Sequence, residues 1–340
     1  MAEQMSEDYG RTQSQQTKDW CSKASKETLL ERALMLKNIR AFFDARNVLE
    51  VETPLLSHYS TTDPHLDSLR TGFREQECYL NTSPEYAMKR LLAQWRQPIY
   101  QVCKAFRDDE LGVSHNPEFT MLEWYRPGYD MQQLMDEMAE LVKVLFEKSE
   151  IEPVFEYVSY QRAFEDVAGF DPHRVTSDAC FQFALDTHVE VPQGLTAADD
   201  VNDWLDWLLT QVVIPAFKGD GFTFLYDYPA AQCALAKIMP SSEQVAVAKR
   251  FELYYGEIEL ANGFFELTDG DEQLSRFREE NQSRTNAGRE SGLIDENFIA
   301  ALTHGLPECS GVAVGLDRLL MLLTGARHIE QVLSFSWDQA

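Results

Sequence analysis

The chain has 340 residues, 25% charged and 44% hydrophobic, the balance of an ordinary globular protein long enough for one large core or two smaller ones. Fifty-six acidic residues against 30 basic ones give a net charge of −26, which argues against tRNA binding through a basic stripe and favours a macromolecular partner with a basic surface. No apolar run reaches the roughly 18 residues of a membrane span, the N-terminus lacks the apolar segment of a signal peptide, and Cys21, Cys78, Cys103, Cys180, Cys233 and Cys309 form no CxxC pair, so we expect a cytoplasmic chain with reduced thiols, no membrane association and no zinc site.

Residues 1–24 are rich in Gln, Ser, Asp and Glu and are expected to form a disordered polar tail ahead of a catalytic domain at 25–340. Ser25 can cap a helix running to about Ala45, with Leu29, Ala33, Leu36, Ile39 and Phe43 at three- and four-residue steps. Asn47 suits the left-handed turn that ends it, and VLEVETPLLS then reads as an edge strand stopped by Pro54. Glu77 to Leu80 reads as a short strand. Ser83-Pro84-Glu85 opens a helix, with serine as cap and proline at the first position. Glu85 falls in its first turn, where the helix dipole alone would favour an acid.

Ala105 to Tyr125, AFRDDELGVSHNPEFTMLEWY, carries the first chemistry. Gln101 to Phe106 predicts a strand, Arg107 to Pro117 a loop, and Phe119 to Tyr125 a second, antiparallel strand. Alternation puts Phe119, Met121, Glu123 and Tyr125 on one face and Thr120, Leu122 and Trp124 on the other. A ring, a carboxylate and a phenol beside Arg107 suit either a solvated sheet face or a polar small-molecule site holding a cation.

Tyr129 to Lys148 predicts an amphipathic helix. Residues 155–220 show no chemistry, carry helical segments near Ala163 and Trp204 to Val213, and read as a peripheral helical insertion. FTFLYDYPA resumes strand character up to Pro229. In FELYYGEIELANGFFEL, Glu252 and Glu259 are acids among apolar residues, and Asn262, Phe264 and Glu266 share a strand face. Two such acids suit a charged hairpin face or a Mg²⁺ site beside phosphates. Ser275 to Gly288 is a charged helix. In CSGVAVGLDRLLMLLTG, Gly311, Ala313 and Gly315 leave one strand face nearly bare, and Arg318 opens the following helix.

The 105–125 stretch resembles motif 2 of the class II aminoacyl-tRNA synthetases, and HNPEFTMLEWY is very similar to its lysyl-tRNA synthetase form. The helix–strand–Pro unit before it is similar to motif 1, and the glycine-bearing strand with Arg318 to motif 3. The resemblance implies an α+β fold, a class II synthetase-like catalytic domain whose antiparallel sheet is flanked by helices, acting as a homodimer. It implies carboxylate activation by ATP with Mg²⁺. Arg107 and Arg318 would be the catalytic residues, gripping the α- and γ-phosphates. Asp108, Asp109, His115, Asn116, Phe119, Leu260 and Gly315 would line the nucleotide, Phe119 stacking on adenine. Glu252 and Glu259 would hold the metal. Glu123, Tyr125 and Glu266 would bind a distal ammonium and Glu85 the other amine. Ser83, Pro84, Asn262 and Phe264 would complete that pocket, with Asn262 at the carboxylate. Ala313 replaces the family's middle glycine, and its methyl points to a substrate other than ordinary α-lysine.

A lysyl-tRNA synthetase carries an N-terminal anticodon-binding domain, for which a motif 1 helix starting near Ser25 leaves no room. Together with Ala313 and the acidic charge this points away from tRNA charging, and the chain resembles the stand-alone lysyl-synthetase paralogues of the EpmA family. The implied reaction activates (R)-β-lysine as an adenylate and transfers it to a lysine side chain of elongation factor P. Two rival readings are a truncated synthetase acylating tRNA or a small amine, and an inactive lysine-binding regulator.

Overall fold

The computed structural model describes residues 20–108 and 111–340. Of the expected tail at 1–24, residues 1–19 lie outside the described residues, as does the expected nucleotide contact Asp109. Lys23 is not part of a loose tail but pairs with Glu330 and Asp338 at 2.6 and 2.7 Å, and Ala24 is buried.

Helix α1 (Lys26–Asp44) starts where Ser25 Oγ accepts the Thr28 N–H at 3.0 Å, and it buries Met35, Ile39, Phe42 and Phe43. Asn47 takes φ 54° and turns the chain into β1 (Leu49–Glu50), which pairs parallel with β5. Strands β2 (Leu56–Ser57), β3 (Arg70–Phe73) and β4 (Gln76–Leu80) form a small separate sheet. Helix α2 (Glu85–Trp95) follows. Its boundary falls one residue later than the sequence suggests, but Pro84 has helical dihedrals and Ser83 Oγ accepts the Glu85 N–H at 3.0 Å. Strands β5 (Ile99–Phe106) and β6 (Glu118–Pro127) form the expected hairpin, in register from Ile99–Tyr125 to Phe106–Glu118.

Helix α3 (Met131–Phe146) carries a capping box between Asp130 and Gln133. Then come β7 (Phe155–Ser159), α4 (Tyr160–Val167), α5 (Ser177–Asp186), α6 (Val201–Leu208), β8 (Phe222–Pro229), β9 (Ile238–Pro240), β10 (Ala246–Tyr255), β11 (Ile258–Phe265), α7 (Gly270–Asn286), α8 (Glu296–Gly305), β12 (Cys309–Gly315) and α9 (Leu316–Thr324). The main sheet runs β1-β5-β6-β12-β11-β10-β8-β7, with β9 added on β10. Its centre is antiparallel, as expected. Its two edges, β1 on β5 and β7 on β8, are parallel.

Residues 155–220 are more than a peripheral helical insertion. Phe155–Ser159 is a strand of the main sheet. The helices behind it bury Tyr160, Trp204 and Leu208 in one cluster with Tyr228 and Tyr254 of the sheet. Each large side chain so buried stabilises the joint by about 1.5–3 kcal/mol.

One sheet face is closed. Leu122, Trp124, Val312 and Val314 pack there with Phe43 of α1, Leu134 and Met138 of α3, and Leu319 and Leu320 of α9. The alternate residues Phe119, Met121 and Ala313 point into the open cleft opposite. A buried latch joins the three motif-bearing segments: Asp317 Oδ2 accepts the Thr120 N–H at 2.6 Å and Asp317 Oδ1 pairs with Arg32, which also donates to Val332 O at 2.8 Å. Among the described residues no helix is long and apolar enough to cross a membrane, and all six cysteines are free thiols.

Candidate active site

The cleft holds two adjoining cavities of about 520 and 670 Å³, which share Arg107, Met121, Arg250, Asn262 and Ala313 along the sheet. The smaller brings together on its wall Ser83, Pro84, Glu85 and Phe264, residues the sequence reading assigns to an amino-acid pocket. The larger takes in His115, Phe119, Glu252, Glu259, Gly315 and Arg318. Asn116 and Leu260 also line it.

At the nucleotide-like end, the Arg107 guanidinium lies 5.1 Å from the Phe119 ring centre, leaving a flat aromatic surface beside a fixed cation. Arg318 is held by acceptors from β11 and from the loop between β5 and β6: it donates to Glu259 O at 2.9 Å and meets His115 Nε2 at 2.5 Å. That contact requires His115 Nε2 to be the bare acceptor nitrogen, since arginine only donates. Asn116 is largely spent on structure. Its amide donates to Glu118 O at 2.6 Å and its oxygen accepts the Trp337 N–H at 3.0 Å. Asp108 is not brought to this cleft: its backbone N–H bonds Asp67 O at 2.9 Å, and it borders a separate surface hollow with Arg284 and Arg289.

Glu252 and Glu259 face the same cavity from β10 and β11. Glu252 is buried and fully engaged, pairing with Arg250 and accepting from the hydroxyls of Tyr228, at 2.7 Å, and Tyr254. Glu259 has a looser setting, with Arg318 Nη1 at 3.7 Å and its side chain 43% exposed into the cleft. Burial in the cleft, then the charge of Glu252, pushes its carboxyl up to about 7. A divalent cation would relieve that repulsion. Glu259 offers a hard carboxylate donor that fits Mg²⁺, with other positions left to water and phosphate oxygens, and Glu252 would join it only by giving up Arg250 or a tyrosine hydroxyl.

The amino-acid end is built on buried charge. Glu123, Tyr125 and Glu266 lie beneath the cleft floor, each no more than 2% exposed. Tyr125 OH donates to Glu123 Oε1 at 2.6 Å, and Ser83 Oγ, having accepted the Glu85 N–H, donates to Glu123 Oε2 at 2.9 Å. Lys89, 1% exposed, reaches Glu85 Oε1 and Glu266 Oε2, both at 2.6 Å. Burial pushes the Glu123 carboxyl up to about 8, with the Glu85 charge adding and the two hydroxyls opposing. Burial likewise raises Glu266 to about 8 against the opposing pull of Lys89. The Lys89 amine is disfavoured by burial, but the carboxylates of Glu266 and Glu85 outweigh this and hold it protonated. Each acid of this cluster has a protein partner, and of its members Ser83 and Glu85 line the smaller cavity while Glu123, Tyr125, Glu266 and Lys89 line neither.

Strand β12 forms the floor between these ends. Ala313 stands opposite both Glu123 and Asn262, so its methyl sits at the junction of the amine and carboxylate positions. A Cβ at Gly311 would overlap the Tyr125 ring and lie 2.5 Å from Glu266 Oε1, so that station has to be glycine.

Two residues at the site were not anticipated. Lys89 follows Glu85 by one helical turn, a spacing that reads equally as a surface pair. Arg250 precedes Glu252 by two on a strand, hence on the same face, and borders both cavities.

An ATP-like end, a diamine-like end and the motif order together define a class II synthetase-type catalytic centre. The family of class II tRNA synthetases (D, K and N) matches residues 11–339, and the chain belongs to it. Within that family the chain is 45% identical over 328 residues to the elongation factor P–(R)-β-lysine ligase of Pseudoalteromonas translucida (strain TAC 125), covering 94% of this chain and 98% of that one. The ligases of the same name from Avibacterium paragallinarum and Klebsiella pneumoniae subsp. pneumoniae are 43% and 44% identical, covering 94% and 96% of this chain and 98% and 99% of theirs.

Proposed function

We propose that this chain is an ATP-dependent ligase that activates (R)-β-lysine as its adenylate and transfers it to a lysine side chain of elongation factor P. The observation that carries the reading is the 43–45% identity, over at least 94% of this chain, to ligases of that name. The acid-lined pocket and the methyl of Ala313 support it.

In the proposed reaction a substrate carboxylate oxygen attacks the α-phosphorus of ATP and pyrophosphate leaves. Arg107, planar and permanently charged, would bridge carboxylate and α-phosphate and hold them in line. Phe119 would stack on the adenine, and Arg318 would turn from His115 to the γ-phosphate. Mg²⁺, held by Glu259 and Glu252, would neutralise phosphate charge. Glu123 and Glu266, with Tyr125, would take the distal ammonium, Glu85 the second amine and Asn262 the carboxylate. The acceptor amine then attacks the adenylate carbonyl, an amide forms and AMP leaves.

A translation factor as acceptor supports a reaction in the cytoplasm. We also propose a homodimer through the first helix and the first two strands, where Leu30, Leu34, Leu49 and Leu56 remain exposed. Intact mass of elongation factor P, incubated with this protein, ATP, Mg²⁺ and (R)-β-lysine, tests the function. One added lysyl unit, dependent on ATP, is expected. No addition, with tRNA aminoacylated instead, would refute it.

A further inference from the structure

Lys89 is an unexpected occupant of a pocket for cations. A fully buried lysine is ordinarily disfavoured, and an ion pair that served only to anchor a helix would need one acid. Lys89 has two, on different elements: Glu85 in the first turn of α2 and Glu266 just beyond β11. These are the acids assigned above to the two separate amines of the substrate. Lys89 engages Oε1 of Glu85 and Oε2 of Glu266. The other oxygen of Glu266 lies on the side of Gly311. The rings of Phe298 and Tyr125, 5.8 and 6.0 Å from the ammonium, close the remaining sides.

We propose that Lys89 is a positioning residue: its ammonium clamps Glu85 to Glu266 and so fixes the distance between the two amine subsites. The inference rests on the proposed function and deepens it, by assigning the pocket's selectivity for diamine length to a residue that does not touch the reacting atoms. Charge supports it. Glu85, Glu123 and Glu266 against Lys89 leave a net −2 with all four ionised, which matches the two ammonium groups of a diamino acid. Without Lys89 the pocket would hold three facing carboxylates, and protons would replace the missing cation.

The groups facing Lys89 are Glu85 from α2, Glu123 and Tyr125 from β6, Glu266 beyond β11, and Cys309 of β12, whose thiol is itself raised chiefly by burial. The Glu123 and Glu266 carboxyls are raised to about 8 with Lys89 opposing, so removing its positive charge moves the pH dependence of diamine binding in one direction, upward.

The test is diamine-dependent ATP–pyrophosphate exchange by the parent, Lys89→Met and Lys89→Gln across pH. For Lys89→Met we expect the KM for (R)-β-lysine to rise roughly 100-fold, the loss for stripping one partner from a buried charge cluster, with the KM for ATP unchanged. The limb along which diamine affinity improves with pH should move up by about one unit. Lys89→Gln, which keeps a donor and most of the volume, should show the same pH shift with a smaller loss. In the parent, homologues of the diamine one methylene longer or shorter should be disfavoured at least about tenfold, and the variants should flatten that preference. A loss independent of pH, or equal increases in both KM values, would overturn the clamp. If neither variant folds, an absence of length discrimination in the parent overturns it. Exchange by the parent with no diamino acid at all would sink the proposed function and this inference together.

Discussion

Replacing Gly311 with alanine tests the packing logic of the amine end directly. The added methyl would overlap the Tyr125 ring and stand 2.5 Å from Glu266 Oε1, so the carboxylate has to retreat by roughly 1 Å to reach ordinary contact. Neither strand can give way, because β12 is paired on both sides, with Gly311 in register with Tyr125 of β6 and with Phe264 of β11. Overpacking of this kind costs about 1–3 kcal/mol. The damage should also be specific. Tyr125 and Glu266 would move from Glu123 and Lys89, and the KM for the diamine should rise at least about tenfold with that for ATP nearly unchanged. Gly315→Ala is the control. Its φ is −76°, and a Cβ there meets nothing closer than 3.9 Å, so stability should hold and only the nucleotide end should respond. Urea melts and diamine-dependent pyrophosphate exchange read both quantities. Gly311→Ala with unaltered stability and diamine KM would refute the reasoning.

The raised carboxyls of Glu123 and Glu266 predict that diamine KM falls as pH rises from 6 toward about 8, because the ionised form binds ammonium; a flat profile would contradict this. The same groups make the ligand-free fold lose stability as pH climbs from about 4.5, the ordinary glutamate value, through about 8, since the folded state keeps protons that the unfolded chain releases; melts across pH check this. Glu259→Gln should raise the Mg²⁺ concentration for half-maximal exchange about tenfold, with stability within about 0.5 kcal/mol, because Glu259 makes only a loose contact to Arg318. Glu252→Gln should also lower stability by about 3 kcal/mol, because it strips Arg250 of its buried partner. Asp317→Ala should cost about 3–5 kcal/mol in chemical denaturation, leaving Arg32 and the Thr120 N–H unpaired; a loss below about 1 kcal/mol would contradict the latch.

Local periodicity made the hairpin at 99–127 and its two faces legible, since alternation assigns every side chain once the register is known. The bare strand was legible too, but its three small residues were equivalent by sequence and are not so in space. Gly311 excludes a methyl, Ala313 carries one, and Gly315 has room for one. Strand β7 was missed because FEYVS is short and its partner β8 lies across a long crossover, so nothing local distinguishes it from the helices that follow. Lys89 and Arg250 were missed for a related reason. Each lies close in sequence to an acid it binds, but its burial is decided by elements far along the chain.

The latch at Asp317 shows why residues so far apart can act as one site. Asp317 immediately precedes Arg318, and it binds Arg32 of the first helix and the Thr120 backbone next to Phe119. The helix on which we place the dimer contact, the strand proposed to carry the adenine, and the arginine proposed for the γ-phosphate therefore share one buried carboxylate. A shift of α1 by even a fraction of an ångström would strain the Arg32 pair with Asp317, because a buried carboxylate has no water to exchange it for, and would pass through that carboxylate to its bond with Thr120. Subunit association, on this geometry, should steady the nucleotide end more than the amine end, whose fixed points are α2, β6 and β12. Dilution below the dimer dissociation constant should accordingly raise the KM for ATP before that for the diamine, and the reverse order would place the dimer contact elsewhere.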